Sequence, residues 1–193
     1  MDIKDMEVGS TYFHEDDYGQ IEILPSENYS FCCKQAGLID KFAEEHRVGA
    51  GYTDMYVRES NPVPLREMGL TCLELEEVLR PLLPYSDKVY TGYSSYCELC
   101  EDTHGFVFNE NVSLFYAFSG DVIRDIWLQL TPDVEEEACL AKKMLGAIGC
   151  LGDFIIADWS WGAVEKLSDA VAVDNYLQEK YLSFSKLREE FEE

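Results

Sequence analysis

The sequence predicts an α+β fold, with a largely antiparallel sheet and about four helices. Three observations carry that expectation. Short stretches alternate apolar and polar residues with period two, as half-buried strands do. Two segments open with helix-start chemistry and continue with an apolar stripe. Between them, residues 88–130 are mostly strand-like, broken by turn residues. Nothing repeats along the 193 residues and no low-complexity linker divides them, so one domain is expected.

In chain order, Tyr12 and Phe13 precede the turn-prone Asp16-Asp17-Tyr18-Gly19, and Ile21 and Ile23 then alternate with Gln20 and Glu22. This predicts a β-hairpin ended by Pro25, with Tyr29 to Lys34 as a third strand. Gln35 to His46 puts Leu38, Ile39, Phe42 and Ala43 on one helical face. Tyr52 to Arg58 alternates as a strand, and Asn61-Pro62-Val63-Pro64 is a loop. Thr71 and Glu74 have capping-box spacing, so a helix starts there; Pro81 ends or kinks it near Arg80. Strands follow near Val89–Tyr93, Gly105–Phe108, Ser113–Phe118 and Ile123–Leu130. A helix is expected from Thr131-Pro132, with Glu135 to Glu137 meeting its positive end and Gly149 or Gly152 closing it. Asp153 to Trp159 reads as a buried strand, Ser160-Trp161-Gly162 as a turn and Ala163–Lys166 as a strand. Ser168 starts the last helix, with Val171, Tyr176, Leu177 and Tyr181 facing inward and 183–193 as exposed or frayed helix.

Charge is the strongest global signal. Thirty-eight Asp and Glu against fifteen Lys and Arg leave −23. Such a surface repels nucleic acid and anionic lipid, and raises encounter rates with a cationic partner. The acidic start MDIKDMEVGS lacks an apolar signal region, and no apolar run approaches a membrane span. Seven cysteines cannot form a fully paired disulfide framework, so a reducing, cytosolic setting is expected.

Ligand-type residues crowd in CELCEDTH, Cys97 to His104. Cys97, Cys100 and His104 offer three of the four donors of a structural zinc site. The alternative, which we favour, makes Cys97 and Cys100 small buried hydrophobes and His104 a turn residue before Gly105. A redox role is disfavoured, because Glu98, Glu101 and Asp102 oppose a thiolate. His14 and the acids after it read as a solvated turn. Asp158 is expected to orient the turn at Ser160. No hydrolase elbow, P-loop, dinucleotide turn or HExxH helix is present, so no catalytic residue is assigned.

Between Lys88 and Arg124 there is no Lys or Arg, while Glu98, Glu101, Asp102, Glu110 and Asp121 accompany eight Tyr and Phe. These aromatics suit a β-core, and tyrosines also suit an interface. A binding surface is expected at Tyr93, Tyr96, Glu98, Glu101, Asp102 and Glu110, with carboxylates to steer a basic partner and tyrosines to anchor it. The acidic α+β character without catalytic motifs, and the terminal unit GDFIIADWSWGAVEKLSDAVAVDNYL, resemble the immunity proteins of bacterial polymorphic toxin systems. The resemblance implies tight binding to a cognate toxin, often a basic nuclease, by occluding its active site. No cofactor and no catalysis are expected. Two alternatives remain at this level: a zinc-dependent enzyme or regulator built on Cys97, Cys100 and His104, and a nucleic-acid mimic. The scattered acids make the mimic the weakest.

Overall fold

The computed structural model describes residues 9–49, 51–93 and 96–192. Strands are β1 (Thr11–His14), β2 (Ile21–Pro25), β3 (Arg47–Val48), β4 (Gly51–Tyr52), β5 (Tyr85–Ser86), β6 (Val89–Tyr93), β7 (Tyr96–Leu99), β8 (Thr103–Val107), β9 (Val112–Ser119), β10 (Val122–Leu130), β11 (Phe154–Asp158) and β12 (Ala163–Lys166). Helices are α1 (Tyr29–His46), α2 (Cys72–Leu79), α3 (Glu135–Gly149) and α4 (Ala170–Glu192). The α+β expectation holds. A seven-stranded antiparallel sheet runs β12-β11-β2-β10-β9-β8-β5, and a three-stranded sheet runs β1-β6-β7 with β1 parallel to β6.

Strand alternation gives the large sheet two apolar faces. Ile21, Ile23, Leu114, Tyr116, Ile126 and Leu128 point to one, where Leu75 and Leu79 of α2, Met144 and Leu145 of α3 and Tyr176 and Leu177 of α4 cover them. On the other face, Leu24, Ile155 and Ala157 meet Cys32 and Ala36 of α1. Further along that face, Phe115, Ala117 and Trp127 meet Phe13 and Val89 of the small sheet. The layers are therefore three helices, a sheet, and a third layer shared by α1 and the small sheet.

Several elements differ from expectation. Phe13 and Ile21 belong to different layers, so β1 and β2 do not form a hairpin. The acids Glu15–Asp17 make a 3-10 turn, and Gly19 at φ 70° lets the chain cross between sheets. Residues Tyr29 to Lys34 are the first turns of α1, not a strand. Cys32 and Ala36, four apart, bury one helical stripe, and this tertiary contact overrides the β-preference of Tyr29 and Phe31. Of Tyr52 to Arg58, only Tyr52 enters a ladder. Helix α3 begins at Glu135, four residues after Thr131, with the three glutamates in its first turn as expected. In α4 the buried positions are Val173, Tyr176, Leu177 and Lys180, whereas Val171 is exposed. The capping box of Thr71 and Glu74 forms as predicted, and α2 stops before Arg80.

Candidate partner-binding site

A cleft of about 470 Å³ opens where the β1–β2 turn, the β8–β9 turn, the end of β10, the β11–β12 turn and α4 converge. Its rim carries Asp16, Asp17 and Glu110, with the exposed Ser160; Gln129 and Phe184 are half-buried in its lining, and Lys180 is buried. Hydrogen bonds place each rim carboxylate or the backbone that carries it. Asp17 accepts a hydrogen bond from Gln129 Nε2 (2.7 Å), and Gln129 Oε1 accepts one from Ser113 (2.8 Å). The Asp16 backbone N–H donates to His14 Nδ1 at 3.2 Å. Glu110 sits between Asn109 and Asn111, whose side-chain amides both donate to Glu137 at the start of α3. Burial works against the Glu137 charge, but the N–H groups of Asp133, Asn109, Asn111 and Val134 hold its carboxyl below the ordinary range. Glu137 thus clamps the turn that presents Glu110.

The floor is a buried ion pair. Asp158 Oδ2 accepts from Lys180 Nζ (2.6 Å) and Tyr176 Oη (2.8 Å); Oδ1 accepts from Ser160 Oγ (2.7 Å) and the Trp161 backbone N–H (3.0 Å). Asp158 and Lys180 are each 1% exposed. The rings of Trp161, Tyr176 and Phe184 surround the ammonium at 5.0, 5.5 and 5.7 Å. Asp158 orients the Ser160 turn as the sequence suggested, and it also ties that turn to α4. Because Lys180 is already neutralised by Asp158, the rim keeps its negative field. By charge such a rim is complementary to an ammonium or guanidinium, and Phe184 offers an apolar wall of the kind an alkyl stem packs on.

The expected contact residues fall in three places. Tyr93 and Tyr96 face each other across the β6–β7 ladder, 60% and 58% exposed, and Tyr96 Oη donates to Glu98 (3.1 Å). Tyr93 touches the His14 ring at 5.2 Å between centroids, so this pair borders the turn carrying Asp16 and Asp17. Glu110 stands on the cleft itself. Glu101 and Asp102 form the β7–β8 turn, at the other end of β8 from Glu110, about 17 Å away along five residues. Of the window's other aromatics, Tyr90, Phe106, Phe115 and Tyr116 are core, whereas Phe108 is exposed.

Cys97, Cys100 and His104 do not converge. Cys97 is buried in β7, and Cys100 packs on the Phe115 face of the large sheet. His104 lies within β8, not in a turn, and its ring is on the opposite face. There its Nδ1 is 2.7 Å from Tyr85 Oη and 3.2 Å from Tyr116 Oη, and Tyr116 donates to Glu76 (2.6 Å). The spacing that suggests a ligand set thus straddles a sheet. Among the described residues, no three His, Cys, Asp or Glu side chains are grouped to hold a metal.

Sequence reading missed Asp16, Asp17, Ser160, Lys180 and Phe184. One signal was present: a lysine at position 180 interrupts the inner stripe of Val173, Tyr176 and Leu177. A charge at such a position needs a buried partner.

No protein-family model matches the chain, and neither a curated protein nor a solved structure shows significant similarity to it. Among the described residues no helix is long and apolar enough to cross a membrane. What the fold and cleft define is an acidic α+β protein with a carboxylate-rimmed cleft beside an exposed tyrosine pair.

Proposed function

We propose that this chain is a cytosolic binding protein that neutralises a basic protein, in the manner of the immunity proteins it resembles. The observation that carries the reading is the cleft: three carboxylates ring an opening whose one cation is already spent on Asp158. The net charge of −23 steers a cationic protein toward this face and speeds encounter. A lysine or arginine of the partner then enters the rim of Asp16, Asp17 and Glu110. Exposed ion pairs contribute only about 0.2–1 kcal/mol each, so they set rate and orientation. Affinity comes from burying Tyr93 and Tyr96, since anchoring tyrosines can each be worth about 2 kcal/mol or more. Glu98 belongs to the contact; Glu101 and Asp102 act at a distance, through the field.

The test is capture from lysate of the source organism at low salt, comparing the wild type with Asp16→Lys/Asp17→Lys/Glu110→Lys. The expected result is one stoichiometric basic protein on the wild type, released by salt and absent from the variant. Capture that neither the charge reversal nor salt alters would contradict the reading.

A further inference from the structure

The segment 54–59 has the pattern of a strand and lacks a ladder. Two of its side chains, Tyr56 and Arg58, anchor it. Tyr56 Oη donates to Gln35 (3.0 Å), and its ring stands edge-on to Phe42. The Arg58 guanidinium lies 3.1 Å from Glu22, 4.1 Å above the Trp159 ring, and donates to the Gly19 carbonyl. The odd positions face away: Met55 and Val57 are 83% and 84% exposed, the most exposed large apolar side chains among the described residues. Isolated exposed apolar residues are ordinary, but two on one face of a pinned segment form a patch. The Met55 N–H turns back to Asp54 Oδ1, and the backbones of Tyr56, Val57 and Glu59 have no hydrogen-bond partner among the described residues. Exposure therefore alternates only over residues 55–59, with Tyr56 and Arg58 half-buried and Met55, Val57 and Glu59 exposed, and no ladder partner pairs with this stretch among the described residues.

We propose that residues 54–59 are a docking strand, to which an extended basic strand of the partner adds through backbone hydrogen bonds while covering Met55 and Val57. This rests on the cationic-partner reading and deepens it. Charge selects the occupant. Asp54 and Glu59 bracket the segment, and a groove of about 390 Å³ beside Tyr52 is lined by Asp40 and Glu44, with Arg47 as its one cation. A second copy would bring another −23 to the same place. Side-chain anchoring at Tyr56 and Arg58 fixes the strand beforehand, which lowers the ordering cost of pairing.

The experiment is hydrogen–deuterium exchange on the full chain with two synthetic peptides of equal charge: one alternates Lys and Val, and the other has Pro at every second position and cannot pair. The alternating peptide is expected to slow exchange at Val57 and Glu59 by about tenfold or more, and the Pro peptide is not. Val57→Pro, whose lost N–H is unbonded in this fold, should abolish the protection; Val57→Lys, which keeps the backbone, should weaken peptide binding about tenfold. Binding with protection only around Asp16–Ile21 or Asn109–Asn111 overturns the docking strand and leaves the cationic-partner reading standing. Failure of both peptides to bind overturns both. Protection of 55–59 that grows with protein concentration, without peptide, assigns the strand to a second copy and overturns the proposed occupant.

Discussion

Lys180 is the clearest case of a residue whose role depends on what surrounds it. Its ammonium is buried with Asp158, and removing one partner strands the other charge. Lys180→Met should therefore cost about 3–5 kcal/mol in urea unfolding, whereas removing both charges in Lys180→Met/Asp158→Asn should cost less. Titration gives a second prediction. Glu137 has a folded-state pKa below its ordinary 4.5, so its contribution is full above that value and is lost as pH falls through the lower, folded one. Glu137→Gln should lower stability by about 1–3 kcal/mol at pH 7, and the gap to wild type should narrow as the pH falls below 4.5. His104 behaves differently. Burial chiefly lowers its pKa, partly offset by the Glu76 charge, so the folded state favours the neutral ring. Its contribution is present above the unfolded value of 6.5 and declines as pH falls below it; His104→Gln should lack that decline. Single residues were the least legible level in the sequence. Asp16 and Asp17 look like any acidic turn until Gln129, more than a hundred residues away, fixes one of them.

At the level of elements, legibility followed the range of the interactions involved. The α2 start was readable because its capping box is local: Thr71 Oγ1 and the Glu74 side chain satisfy each other's backbone N–H groups. Thr71→Ala should cost about 1 kcal/mol by thermal or urea unfolding. Strand β6 was found at its true limits, as was β12, because their alternation is set within a few residues. The β1–β2 crossing was not readable, because an Asp-Asp-Tyr-Gly turn serves equally a hairpin and a chain changing sheets. The register of β6 against β7 depends on Gly92. A Cβ there would meet the Tyr96 carbonyl oxygen and the Cys97 Cα. Gly92→Ala should pry this ladder apart, seen as faster amide exchange across Val89–Leu99, and with it the tyrosine pair beside the cleft.

At the scale of the whole molecule, charge and layering act together. Among the described residues Glu137 and Asp158 are the buried carboxylates, so the other acids described stand at or near the surface, where their field extends into solvent. Composition announced the net charge, but not which carboxylates would share one cleft. That required the ends of several strands and α4 to meet around one cleft, a contact set with long sequence separations. Screening is about 10 Å at 0.1 M salt and about 3 Å at 1 M, so a steered association must slow between those conditions. The most direct test is the association rate of the captured basic partner by stopped flow across that salt range, for the wild type and for Asp16→Lys/Asp17→Lys/Glu110→Lys. A steep fall with salt is expected for the wild type, and a slow, nearly salt-independent rate for the variant. Equal rates for the two proteins, or a wild-type rate that salt leaves unchanged, would contradict it.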